Sequence, residues 1–213
     1  MRRNKSKEIP AAAAHRLPRY YRYLTELVKN ERYRISSGEL SKIMNVTASQ
    51  IRQDLNCFGG FGQQGYGYNT EILRSGISRI LGVEREFTAV IAGTGNLGKT
   101  LAKSGMFARR GVVLKALFDI DPAVIDSEAG GFVVMDIKEA ADYCRDNKID
   151  IAVLTLPKDE TNAVANILAE AGVKGFWNFS NMELEIKTDK PGIKVQNMHM
   201  GDSLMRLCFD LNN

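Results

Sequence analysis

The sequence predicts an α/β chain in two parts, a helical head that carries a hairpin and a doubly wound parallel sheet behind it. Three observations predict this. Two short helices, each opened by its own capping signal, stand between residues 36 and 56 and lead into a run of glycines and aromatics. A mostly apolar segment, EFTAVIAG at 86–93, runs into Gly93-Thr94-Gly95-Asn96-Leu97-Gly98 and then a helical stretch. From there apolar strands and amphipathic helices alternate as far as residue 198, which is the pattern of βαβ units. The expected divisions are 1–82 for the head, 83–198 for the sheet and 199–213 for a terminal helix.

Bulk properties set the bounds. At 213 residues, 44% of them apolar, the chain suits one or two globular domains. No apolar run approaches the ~18–20 residues of a membrane span. The opening MRRNKSKEIPAAAAHR lacks the ~7–15-residue apolar stretch of a signal peptide, so the expectation is a cytoplasmic protein with no membrane partner. Cys57, Cys144 and Cys208 stand far apart in no paired motif and read as reduced thiols. With only His15 and His199 in the chain, no metal site is expected. Charge is uneven. Residues 1–82 carry 14 Lys+Arg and 6 Asp+Glu, a net +8, while the remainder carries 15 and 19, a net −4. A basic head on an acidic body points to a polyanionic partner for the head alone.

The head is read in chain order. HRLPRYYRYLTELVKNE (15–31) places Leu17, Tyr20, Tyr21, Leu24, Leu27 and Val28 at helical spacing, with Pro18 in the first turn. Ser36 and Glu39 form a capping box before Leu40, Ile43 and Met44. Thr47 and Gln50 form a second box before Ala48, Ile51 and Leu55. Two short capped helices around a tight turn make a helix-turn-helix pattern. Ser49, Gln50 and Gln53 lie opposite the apolar face of the second helix, with Arg52 on its flank; Gln suits adenine edges and Arg suits guanine edges or phosphate. In CFGGFGQQGYGYN (57–69), Phe58, Phe61, Tyr66 and Tyr68 alternate with glycines and polar residues as two short strands. The GQQG between them, with Gln63 and Gln64 at the tip, is a tight turn. A hairpin after a recognition helix is the wing of a winged helix, so the candidate DNA contacts are Ser49, Gln50, Arg52, Gln53, Phe61, Gln63, Gln64 and Tyr66.

In the body, the first glycine of the Gly93–Gly98 turn makes the bend, the second admits a pyrophosphate and the third lets helix and strand pack closely. The helix N-terminus behind them favours phosphate. Lys99 to about Arg109 reads as that helix, and VVLKALFDID as the next strand. Asp119 lies 21 residues past Gly98, close to the ~20 expected of the acid that takes the ribose hydroxyls, with Asp121 in reserve. No Arg follows to take a 2′-phosphate, so NAD(H) is expected over NADP(H). Then come a strand at 132–135, a helix IKEAADYCRDN, a strand DIAVLTLP, a helix ETNAVANILAEAG closed by Gly172, and strands VKGFWNFS and IKVQNM. One Rossmann sheet accommodates them all, and its strand ends make Thr155, Leu156, Pro157, Asn178, Phe179 and Ser180 the nicotinamide-side walls. In the tail, a helix capped by Asp202 puts Leu204, Leu207, Cys208 and Leu211 in one stripe. That stripe either covers its own sheet or docks on a second subunit, and the second reading is favoured.

No catalytic constellation accompanies the nucleotide turn. His199 is the sole histidine of the body, and Tyr143 is followed four positions later by Asn147, not Lys. A DNA-reading head on a nucleotide-binding body implies a ligand-operated switch. The competing readings are a small NAD-dependent oxidoreductase with a basic appendage and a DNA-binding protein with a structural nucleotide site. RLPRYYRYL, SSGELS, IRQDLNCFGGFGQQGYGYN, GTGNLG, FDID and GFWNFS, in this order over nearly the whole length, resemble the Rex family of redox-sensing transcriptional repressors. The resemblance implies a homodimer whose C-terminal helices are swapped between subunits, which binds palindromic operator DNA and releases it when NADH binds. NADH and NAD⁺ are then regulatory ligands. In that family an Arg of the head reaches an Asp at the start of the terminal helix near the nicotinamide. Here Arg16 keeps the first position, and is counted with the DNA-binding residues, while His199 takes the second, beside the nicotinamide. The chain also departs from the family pattern at Gln63 and Gln64, where basic residues are usual, at Gln53, where a second Arg is usual, and at Ser104, where some members have Tyr.

Overall fold

The computed structural model describes residues 9–59, 62–63 and 67–212, with the backbone alone at 62–63. Phe61, Gln64 and Tyr66 lie outside the described residues, as does the Gln63 side chain. The chain folds as two compact units that divide between Glu84 and Arg85.

The first unit opens with α1 (Ala11–Ala14) and α2 (Leu17–Lys29). α2 is the helix expected within 15–31, with Pro18 in its first turn, where the missing N–H removes no helical bond. Leu17, Tyr20, Leu24 and Leu27 are buried, while Tyr21 and Val28 are half-buried at the margin. β1 (Arg34–Ile35) precedes α3 (Ser37–Met44) and α4 (Ala48–Phe58). The capping box of α3 is complete: the Glu39 N–H donates to the Ser36 hydroxyl, and the Ser36 N–H donates to the Glu39 carboxylate. The one expected for α4 is half formed. Thr47 accepts the Gln50 N–H, but the Gln50 amide donates to Asp54 at 2.9 Å instead of returning to the cap. Phe58, expected in a strand, is the last residue of α4, with its ring edge-on to Tyr20. β2 (Gly62–Gln63) and β3 (Gly67–Asn69) form the expected hairpin, and β1 joins it to give a three-stranded antiparallel sheet, order β1-β3-β2. Gly67 has φ +72°, and a Cβ there would lie 2.9 Å from the Ile35 carbonyl oxygen. α5 (Thr70–Leu81), capped by Asn69 and closed at Gly82, packs Leu73 and Ile77 into the core made by α2, α3 and α4.

The second unit contains β4 (Phe87–Ala92), α6 (Asn96–Lys103), β5 (Val112–Asp119), β6 (Glu128–Ala129), β7 (Phe132–Asp136), α7 (Ala140–Asp146), β8 (Ile151–Leu154), α8 (Lys158–Glu170), β9 (Gly175–Asn178), β10 (Lys194–Asn197) and α9 (Met200–Asn212). Its sheet runs β10-β9-β8-β4-β5-β7-β6, parallel throughout except for β6 against β7. Side chains alternate across it. Val90, Ala92, Phe118 and Leu154 pack with α7 and α8 on one face, and Ile91, Leu117 and Val153 with Leu101 and Phe107 on the other. α6 ends six residues earlier than the sequence suggests, since Gly105 at φ +60° follows its cap Ser104. α1, β1, α5 and β6 are elements that the sequence pattern does not announce. Asp202 does not cap α9. It lies in the first turn, its N–H bonded to the His199 carbonyl. All of α9 from Met200 to Asn212 is exposed, so the stripe does not cover this chain's own sheet.

Candidate functional site

The turn between β4 and α6 sits at the carboxyl ends of the strands, where the chain leaves central β4 for β5 on one side and β8 lies on the other. That is the switch point at which open α/β sheets take ligands. Two of its three glycines are constrained by the chain itself. Gly93 has φ +97°, and a Cβ there would lie 2.6–2.8 Å from the Thr155–Leu156 backbone. A Cβ on Gly98 would lie 2.0 Å from the Gly93 carbonyl oxygen. A Cβ on Gly95 would meet nothing within 4 Å, yet it would fill the space in front of the first turn of α6. There the N–H groups of Asn96, Leu97 and Gly98 have no helical partners. A pyrophosphate fits that cradle.

Buried polar groups hold the turn from behind. The Thr155 hydroxyl donates to the Gly93 carbonyl. Asp119, 6% exposed, accepts the Thr94 N–H and hydroxyl on one oxygen and the Asp121 N–H on the other. Burial pushes its carboxyl up, but the Asp121 and Thr94 donors outweigh that and hold it below the usual carboxylate range. Asp119 is thus committed to the turn. Asp121, two residues on, is exposed and takes one local bond, from the Ala123 N–H.

The other sequence-derived positions gather at the same end. Pro157 caps α8, and its carbonyl accepts the buried Thr161 hydroxyl. Asn178 is 1% exposed. Its amide donates to the Met182 carbonyl and to Asn197, and its oxygen accepts the Ser180 N–H and hydroxyl. It organises the loop after β9. His199 precedes α9, with Nε2 3.0 Å from Glu183 and Nδ1 3.4 Å from Asn181. Asn197, Glu183 and Asn181 are absent from the sequence reading, as partners 14 to 19 residues apart that no local pattern links.

In the first unit, α4 keeps Ser49, Arg52 and Gln53 exposed, and among the described residues Arg52 makes one side-chain hydrogen bond, to the Ser37 hydroxyl at 3.3 Å. Behind it stands a group the sequence reading does not contain. Asp54, 1% exposed, takes both Nε and Nη2 of Arg16 at 2.7 Å, the Tyr20 hydroxyl at 2.9 Å and the Gln50 amide. Burial raises the Asp54 carboxyl, and the hydrogen bonds from Arg16, Gln50 and Tyr20 bring it below the ordinary range. Burial and Asp54 together push the Tyr20 phenol far up. The available signal was an acid at 54, on the inward stripe between Ile51 and Leu55. Arg16 and Gln50, both counted as DNA contacts from the sequence, are thus bonded to Asp54.

Comparison with known proteins adds three results. Residues 8–56 match a family model described as "Putative DNA-binding protein N-terminus", and residues 84–182 match one described as "CoA binding domain". The redox-sensing transcriptional repressor Rex of Thermoanaerobacter pseudethanolicus is 46% identical over 209 residues, 98% of this chain and 92% of that protein. The Clostridium perfringens strain 13 protein of the same name is 44% identical over 98% of this chain and 97% of its own length. A crystal structure of RSP with β-NAD⁺ and operator DNA superposes with a TM-score of 0.89 at 46% identity, covering 96% of this chain and 93% of that one. RSP with β-NADH gives 0.87 at 42%, over 96% and 95%.

Proposed function

The chain belongs to the Rex family of redox-sensing transcriptional repressors, and from that premise we propose how its residues divide the work. The protein is a repressor, not an enzyme, and NAD(H) is its regulatory ligand. The Gly93–Gly98 turn holds the pyrophosphate on backbone N–H groups. Exposed Asp121 takes the ribose hydroxyls in place of Asp119, which is buried and already accepts the Thr94 N–H, the Thr94 hydroxyl and the Asp121 N–H. Thr155, Pro157 and His199 line the nicotinamide end, with Asn178 holding the loop after β9, whose Asn181 and Glu183 bond His199. Ser49, Arg52 and Gln53 meet operator DNA, and the wing completes the contact through Phe61, Gln63, Gln64 and Tyr66. Arg16, whose Nε and Nη2 are held by Asp54, adds a further DNA contact from the head.

The observation that carries this reading is that a turn whose Gly93 and Gly98 admit no Cβ shares a chain with a capped helix whose outer face keeps Ser49, Arg52 and Gln53 free of the core. A ligand moves such an equilibrium only by the difference in its affinity for the two forms. The test is operator binding at fixed, stated salt with NAD⁺, NADH or neither. NADH should weaken binding and NAD⁺ should not. Equal operator affinity in all three overturns the reading, and replacement of His199 that leaves NADH release intact removes that residue from it.

A homodimer in the cytoplasm completes the proposal. α9 exposes Leu204, Met205, Leu207, Phe209 and Leu211, each more than half accessible. A 13-residue helix is marginal in water without packing, and a helix of the partner's or the partner's sheet supplies it. Leu207→Glu should give a monomer by light scattering, and half-sites should be spaced near one DNA turn with two-fold symmetry. Among the described residues no helix is long and apolar enough to cross a membrane, and no group of three or more His, Cys, Asp or Glu is placed to hold a metal ion.

A further inference from the structure

At the edge of the body's sheet opposite the glycine turn, a cavity of about 590 Å³ opens among the starts of β4, β8, β9 and β10 and the end of α7. Arg85, Arg145, Lys148, Lys174 and Lys194 line it, against one acid, Asp150. We propose that this cavity is a second ligand site, for a small polyanion of the polyphosphate class.

The charge distribution is the first reason. Residues 85–213 carry 15 Lys+Arg against 18 Asp+Glu, yet five of those cations converge on one concavity. Two are partly answered: Arg145 by Asp142 at 2.7 Å, and Arg85 by Asp150 at 3.9 Å. The second oxygen of Asp150 is taken by the Thr88 N–H. Lys148, Lys174 and Lys194 have no ion-pair partner among the described residues. Placement is the second reason. The Lys194 N–H donates to the Lys174 carbonyl at 2.7 Å, so the two lysines stand at the starts of adjacent strands, and both line the cavity. The negative end of the α7 dipole accounts for cations at Arg145 and Lys148. It does not reach Arg85, Lys174 or Lys194, which come from strands. The cavity falls in the ~300–1,000 Å³ range of small-molecule sites, and Phe87 and Ile149 give it an apolar wall. Lysine and arginine are the side chains that hold phosphate oxygens. A concave site between strand starts suits a compact anion better than a duplex backbone.

The experiment is calorimetric titration of the full chain with tripolyphosphate at fixed ionic strength, with and without saturating NADH. Wild type is compared with Lys148→Gln/Lys174→Gln/Lys194→Gln and with a charge-matched control, Lys115→Gln/Lys138→Gln/Lys187→Gln, all at exposed positions. We expect saturable binding with NADH present, unchanged in the control and about tenfold weaker or more in the cavity variant. The single variants Lys174→Gln and Lys194→Gln should each move the same way. Four results overturn the proposal: no saturable binding; equal loss in both triple variants, which means bulk charge; displacement by NADH, which means the glycine turn; or loss of operator affinity in the cavity variant with tripolyphosphate binding unchanged, which means a DNA contact.

Discussion

In the second unit, every buried polar side chain among the described residues (Thr94, Asp119, Thr161, Asn178 and Ser180) stands where β4, β5, β8 and β9 end. In the first unit they stand behind the working surface: Asp54 under α4, and Thr70 and Ser78 on α5. The difference follows from what makes contact. In the body the ligand meets backbone, so glycine sterics shape the site and buried side chains pin the backbone. In the head the ligand meets side chains of one helix, so the buried charge pins the helix and leaves its outer face alone. One site is therefore broken by adding an atom, the other by removing one.

Gly98→Ala is the strongest way to test the first half of that contrast. Its Cβ would lie 2.0 Å from a backbone oxygen that cannot rotate away. We expect NADH affinity to fall ~100-fold or more, about 3 kcal/mol, the upper range of overpacking costs. Operator binding without nucleotide should survive, as measured by anisotropy. Loss of both together breaks the separation of the two sites. Asp54→Ala is the counterpart in the head. It leaves the Tyr20 hydroxyl and part of the Arg16 guanidinium without their partner, and should cost about 2–3 kcal/mol of head stability. Arg16 is partly solvated, which keeps this below a fully buried pair. NADH affinity should not change. The carboxyl of Asp54 lies below its ordinary value in the folded state. Its contribution is therefore complete at neutral pH, above the unfolded value, and is lost as pH falls through about 4 and below. Thermal melts of wild type should steepen with acid over that window, and Asp54→Ala should flatten it.

Local signals were legible, and distant ones were not. Ser36 with Glu39, the glycine spacing at 93–98 and the apolar runs of β4, β5 and β8 are set within a few residues of each other, so the sequence carries them intact. Arg16 and Asp54 are 38 positions apart, and nothing local joins them. The same group defeats the second capping box: Gln50 has the right spacing to accept the Thr47 N–H, but its amide N–H donates to a buried carboxylate one turn away, and that charge-assisted bond turns the side chain inward. β1 and β6 are two residues each, too short for any period to register. α5 has a legible cap in Asn69 and a legible stop in Gly82, but its start abuts the glycine-aromatic run, which hides the boundary. In the body, strand-end positions were legible from topology while roles were not. Asn178 and Asp119 lie where expected, yet both spend their hydrogen bonds on the loops around them.

Arg52→Ala should have the next effect. Arg52 is exposed and, among the described residues, hydrogen-bonded by its side chain to Ser37 alone, so its loss should leave the melting temperature in place and weaken operator binding by ~1–3 kcal/mol. Comparison across mutated operators then tells its target. A base contact relaxes preference at one position, and a phosphate contact weakens all sequences alike and lowers the salt slope.

The smallest effects discriminate most finely, because Gln50 and Gln53 look alike in the sequence and differ in the structure. Gln53 is exposed on α4. Gln50 is half-buried, with its amide given to Asp54 at 2.9 Å. Gln53→Ala should leave the melt unchanged and relax base preference at one position by roughly 1 kcal/mol. Gln50→Ala should do the reverse, costing roughly 1 kcal/mol of head stability through a lost charge-assisted bond, with base preference intact. If Gln50→Ala instead leaves the melt unmoved and alters base preference, then Asp54 does not hold Gln50. The rule that buried charge in this head works behind the helix then fails at the residue where it was most specific.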